Sequence, residues 1–315
     1  AVMDVALSIE TGIATGTGFS YSEVGNFRFL PNAIRDTGFT SVDQPTGCVS
    51  GSTANLPDGS GRIGCDFANP GATAWIGRFT PDHFDVAVVE PGRLANSCTG
   101  FSYAGTGLSY SVDPAVMITA KSGGGTTTRN YTGAYNKLQS SEVSLSALNG
   151  DASAMGADGS TPVAISLVQG SRNLVDNGDG TLLLRLSGDV FTYGRGPNDR
   201  VGEFVGDVSR TLTSLTDTED GTAAAGLPLD LSPIGVPIRY GRLSIANAHG
   251  SELQTLPLSM RVEYFAGASN GFLPSSGDGC TTINTVAIAD GDASDALLPA
   301  AACIWRTRPA SLRTT

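Results

Sequence analysis

The chain has 315 residues, 40% of them hydrophobic and only 16% charged, with 41 glycines and a formal net charge of −11. That length exceeds what one core usually fills, so two or three domains are expected, and the apolar content excludes wholesale disorder. An acidic surface with just two lysines, Lys121 and Lys137, and no basic cluster repels phosphates, which argues against nucleic-acid partners and docking on anionic membranes.

Residues 2–9 read as a strand that starts without preamble, so the chain is expected to be a mature piece or a fragment of something longer. Period-two alternation then recurs at 27–29, 84–88, 116–120, 143–145, 163–167 and 243–245. A period of two marks strands with one buried face. Between these runs stand Asp58-Gly59, Asn149-Gly150, Asp158-Gly159, Asp179-Gly180, Asp220-Gly221, Asn270-Gly271 and Asp278-Gly279. Such dipeptides supply the positive φ angles of tight hairpins, and residues 174–182 form the plainest hairpin pattern. No stretch has helical period. The fold class expected is all-β, with tandem Ig-like or β-sandwich domains braced by disulfides and almost no helix. The units are placed at 1–72, 73–226 and 227–315, with the polar stretch 216–226 as a linker or exposed loop.

Five cysteines stand at Cys48, Cys65, Cys98, Cys280 and Cys303. No C-x-x-C pair exists and His83 and His249 are the only histidines, so zinc is a poor reading. Nearness in sequence suggests the disulfides Cys48–Cys65 and Cys280–Cys303. Cys98 is left over: free, or bonded to something outside this chain, or a sign that a pair is misassigned. Disulfides place the protein in a periplasm or outside the cell. No signal peptide, lipidation box or apolar run of membrane-spanning length is present, so no direct membrane insertion is expected.

No nucleophile elbow, metalloprotease helix or phosphate-cradling loop is present, and no catalytic residue is assigned. His83 follows Asp82 at the start of a strand and His249 precedes Gly250, both positions that suit turns and packing. Acidic turns at Asp176/Asp179, at Asp217/Glu219/Asp220 and at Asp290/Asp292/Asp295 offer oxygen ligands, and the last set is the candidate for calcium, although none fits an EF-hand loop. Trp75 and Trp305 have apolar neighbours and read as packing residues rather than sugar platforms. With two lysines, intramolecular isopeptide bonds are not expected.

Several stretches carry a resemblance. Residues 76–84 (Ile-Gly-Arg-Phe-Thr-Pro-Asp-His-Phe), Cys98 with Phe101-Ser102-Tyr103-Ala104-Gly105, and Tyr240-Gly241-Arg242-Leu243 running on to Glu263-Tyr264-Phe265 occur in series. They are flanked by Tyr21-Ser22-Glu23-Val24-Gly25 and Asp278-Gly279-Cys280-Thr281. In order and spacing they resemble the MshQ proteins of MSHA-type (mannose-sensitive haemagglutinin) pilus gene clusters over nearly the whole chain. His249 stands where that pattern has Tyr, and Phe265 where it has Trp. The resemblance implies an exported, non-enzymatic surface protein of Gram-negative bacteria, a pilus-associated adhesin or assembly component, in a region classed as a domain of unknown function. Pilus or other cell-surface proteins are the implied partners, with surface glycans a further one. A carbohydrate-binding module of a larger secreted protein is the alternative. The motif residues themselves read as structural: Gly77, Gly241 and Gly250 for turns or close approach, Arg78 and Arg242 for ion pairs across a sheet, Pro81 and Pro257 at strand edges or turns.

Overall fold

Alternating burial becomes strands throughout. The computed structural model describes residues 8–10, 13–15, 20–37, 47–148, 150–251 and 257–283. In the strand Ala115–Lys121, Val116, Ile118 and Ala120 are buried while Met117 and Thr119 are half-buried. The strand lies antiparallel between two others. Val116 sits opposite Val88 and Leu184, and Ile118 opposite Val86 and Leu182. The full order across this sheet is Val143–Leu145, Arg210–Asp217, Thr222–Ala225, His83–Glu90, Ala115–Lys121, Thr181–Ser187, Ser171–Asp176.

The strand Arg210–Asp217 folds that sheet back over itself. Its first half pairs with Leu229–Leu231 and its middle with Val143–Leu145, while its end makes a hairpin with Thr222–Ala225. The result is two layers with one apolar core between them, where Phe84, Ile118, Leu182 and Leu184 meet Val143, Leu212, Leu215 and Leu231. Arg172, on the edge strand Ser171–Asp176, donates to the Val143 carbonyl and ties the two layers along their margin. A second core gathers Leu94, Leu108, Val163, Phe191, Tyr193 and Ile238, and Tyr110 packs against both. Helix among the described residues is limited to short 3-10 turns such as Gly133–Tyr135 and Ser140–Glu142. None is long and apolar enough to cross a membrane. The all-β expectation holds.

The expectation for residues 216–226 fails in the main: they are no linker, and apart from the turn at 218–221 and Gly226 they lie in strands, Thr222–Ala225 running parallel to His83–Glu90 with Ala224 opposite Phe84. Asp217 and Thr222 are buried. The polar composition misled because these side chains bond inward, Thr222 to the Pro81 carbonyl and Asp217 to Tyr131.

The remaining chain forms small sheets on the central body. Before it, Gly25–Phe27 pairs with Ile76–Phe79, and the parallel pair Cys48–Val49 and Ile63–Gly64 lies beside a disulfide. After it, Gly241–Ile245, Met260–Phe265 and Phe272–Pro274 make a three-stranded meander.

Candidate functional site

Two places gather the motif residues, and they differ in kind. The first is a joint between the central body and the C-terminal meander. The strand Ser102–Tyr103 lies parallel to Pro237–Arg239, directly before the meander begins. Gly241 approaches Tyr103 so closely that an added Cβ would lie 2.6 Å from the ring, which is why only glycine fits. The Tyr103 hydroxyl lies 2.9 Å from Ser275 Oγ and 3.1 Å from Asp278 Oδ2. Arg239 stacks 4.0 Å over Phe101 and 4.7 Å from the Tyr264 ring, and its guanidinium also binds Glu203. Arg242 stands opposite Glu263 in register and binds it at 2.8 Å, as the ion-pair reading expects.

A disulfide closes this joint. Cys98 is bonded to Cys280, with Cα atoms 5.3 Å apart across 182 residues of sequence. The expected Cys280–Cys303 pair is therefore corrected; Cys303 itself lies outside the described residues. Proximity in sequence gave the wrong partner because the return of the chain through Ser275 and Asp278 onto Tyr103 is a tertiary event. Cys48–Cys65 forms as expected, with Cα atoms 5.1 Å apart. Asp278 with Cys98 and Cys280 is the one cluster of three metal-type ligands among the described residues. Both sulfurs are joined in the disulfide, so no thiolate is left for an ion.

The second place is a polar cleft of about 450 Å³ over one end of the sandwich, walled by four segments. Tyr21 and Glu23 come from the N-terminal motif, with the Tyr21 ring 4.9 Å from that of Phe79. Phe79 to Asp82 come from the Gly-Arg-Phe-Thr-Pro-Asp-His-Phe run. The third wall is the lap of residues 122–128, held to the sheet by Thr128 N–H donating to the Ala120 carbonyl. The fourth is the tip of the hairpin Arg210–Asp217/Thr222–Ala225. There Asp217 accepts the amides of Glu219 and Asp220 and fixes where Asp220 stands.

Arg78 binds Asp220 and lies 3.6 Å from Glu219, so it finds carboxylates as expected, but in a hairpin turn and not across a sheet. The Asp220 side chain is only 2% exposed. Burial pushes its carboxyl above the usual range, against the pull of Arg78 in the other direction. Its Oδ2 and the Oγ1 of buried Thr128 are both without a protein partner, and both residues line the cleft. Sequence reasoning placed Asp220 in an acidic turn but had no signal for Thr128, which lies in a Gly/Thr-rich loop of ordinary composition.

The other candidates resolve plainly. Asp290, Asp292 and Asp295 lie outside the described residues, as does Trp305. Asp176 accepts Thr132 Oγ1 and the amides of Gly133 and Gly178, and Asp179 accepts both donors of Thr181, so these carboxylates build turns. His83 Nδ1 is 2.8 Å from Asp82 Oδ2 and His249 is exposed. Trp75 is 63% exposed under Arg28 rather than packed in a core. Lys121 and Lys137 are ion-paired, to Asp85 and Glu219.

Family comparison agrees with this division. Residues 53–232 match the third domain of DUF6701 and residues 239–311 its fourth domain. The joint sits where the two matched segments meet. No curated protein and no solved structure matches the chain.

Proposed function

The chain belongs to the DUF6701 family, and on that premise we propose that it is the holding part of an exported surface protein, a pilus-associated adhesin or assembly component of the MshQ type. The observation that carries the reading is the Cys98–Cys280 cross-link at the seam between the two matched domains. A covalent tie across a seam limits how far force or proteases can separate the units, and it persists only in an oxidising compartment. The three motif stretches that carry the MshQ resemblance support the same reading, since their arginines, glycines and tyrosine fasten segments to one another.

The non-enzymatic half of the proposal draws support from the buried carboxylates. Asp151 accepts Tyr193 Oη at 2.7 Å together with the amides of Ser153 and Asp207. Asp199 accepts the amides of Ala164 and Gly196, and Asp189 pairs with Arg210. Carboxylates held by backbone donors organise turns and strand ends rather than move protons. Pilus or other surface proteins are the proposed partners, met outside a Gram-negative cell.

The test is deletion of the gene with counting of surface pili and of attached cells. Loss of either, restored by the wild-type chain, supports the proposal; unchanged piliation with unchanged attachment overturns it. Turnover of a polysaccharide or peptide by the purified chain, abolished by one Asp or Glu substitution, overturns its non-enzymatic half.

A further inference from the structure

We propose that the open edge of the strand Ser171–Asp176 takes an extended peptide segment of a partner protein, acidic on one face and apolar on the other, as an added strand of the sheet. The ladder shows which groups are free. Leu186 N–H donates to the Pro114 carbonyl and Ala120 N–H to that of Gly180, so the even-numbered residues of Thr181–Ser187 serve the strand Ala115–Lys121. The odd-numbered ones then serve Ser171–Asp176, where they stand opposite Ser171, Asn173 and Val175. Asn177 N–H, donating to the Thr181 carbonyl, keeps the same phase. The N–H and C=O groups of Arg172, Leu174 and Asp176 therefore point outward from the sheet edge, and among the described residues nothing pairs with them.

Sheet edges are ordinarily blunted by short length, bulges or proline. This one has six residues, more than any other edge strand among the described residues, with unbroken register and no proline. Its own charged side chains are held elsewhere. Arg172 donates to the Val143 carbonyl, and Asp176 accepts Thr132 Oγ1 and the amides of Gly133 and Gly178. A groove of about 780 Å³ follows the edge, lined among others by Leu138, Leu174 and Arg185. Leu174 packs on the core side of the sheet, whereas Arg185, between buried Leu184 and Leu186, points to the outer side and is exposed. No carboxylate pairs with Arg185 among the described residues. An added strand alternates as well, so it sets apolar side chains toward Leu138 and Leu174 and acidic ones toward Arg185. A second copy of the chain is the poorer occupant: its own residues 136–140 would have to enter the groove beside the first set, and each copy carries a net charge of −11. The inference rests on the sheet edge alone, so loss of the pilus assignment would leave it standing.

Hydrogen exchange read by nuclear magnetic resonance on the isotope-labelled full chain tests it. The probes are blocked heptapeptides in which glutamate alternates with valine, leucine, phenylalanine or threonine, and matched peptides with lysine in place of glutamate. The expected result is that at least one glutamate peptide slows exchange about tenfold at the amides of Arg172, Leu174 and Asp176, which are free in the chain. The amides of Asn173 and Val175, already bonded, should stay as they were. Methylating every peptide nitrogen removes the ladder donors, leaves the protein untouched and should abolish the effect. Arg185→Glu, at an exposed position outside the core, should weaken glutamate peptides about tenfold. No protection by any glutamate peptide at millimolar concentration overturns the proposal. So does protection spread evenly over odd and even residues, or binding that the lysine peptides or the Arg185→Glu variant match in full. Protection that rises with protein concentration alone overturns it in favour of edge pairing between two copies.

Discussion

Removing the cross-link at the joint should reveal how much of the C-terminal unit's docking depends on it. In the chain-entropy account, closing a loop of 182 residues stabilises by about 5 kcal/mol, against about 3 kcal/mol for the 17-residue separation of Cys48 and Cys65. The larger figure is an upper bound, since residual structure in the unfolded chain already restricts the freedom that the cross-link removes. Cys98→Ser, Cys280→Ser and the double variant therefore form a mutant cycle. Each single change should cost as much as both together, because either one abolishes the bond. Urea denaturation gives the total. Hydrogen exchange should show the loss concentrated at residues 239–265, with the central sandwich unchanged. Additive effects of the two substitutions, or a Cys280–Cys303 peptide in mass-spectrometric mapping, would refute the pairing and the reasoning built on it.

Three further outcomes follow from the geometry. Arg210 and Asp189 form a buried ion pair, 5% and 3% exposed, so Arg210→Ala should destabilise by about 3–5 kcal/mol in urea melts, and a loss under about 1 kcal/mol would contradict it. Gly241→Ala drives a methyl group into the Tyr103 ring and should cost about 1–3 kcal/mol while speeding proteolysis at the joint; unchanged cleavage would show that the contact yields without strain. Acid should loosen the turns only at low pH. The amides of Ser160 and Thr161 hold the Asp158 carboxyl down at about 2. At Asp176 and Asp278 burial pulls upward but hydrogen bonds outweigh it, leaving both lowered. Groups lowered in the folded state stabilise it fully above the unfolded value, about 3.9, and lose that contribution as pH falls through their folded values. Carbon-detected titration should thus find these three carboxyls ionised below pH about 4, and ordinary values would overturn the assignment of their donors.

Much of the fold was legible because it is local. Alternation at 84–88 and 116–120 reflects one buried face per strand, and the Asp-Gly steps at 158–159, 179–180 and 220–221 have glycines at φ +68°, +85° and +74°. Backbone sterics act within a few residues, so at these places the amino-acid order alone determined where strands run and where they turn. Arg242 meets Glu263 on the neighbouring strand, whereas the meeting of Arg78 with Glu219 and Asp220 is a long-range event. Composition misled where side chains bond inward: 216–226 looked like a polar loop because the inward partners of Asp217 and Thr222, Tyr131 and Pro81, are far away in sequence. Only tertiary structure decided that Cys98 meets Cys280 and that Thr128 faces the same cleft as Asp220. Those meetings depend on how separate strands stack around a shared core, a balance of long-range packing that no short window of sequence contains.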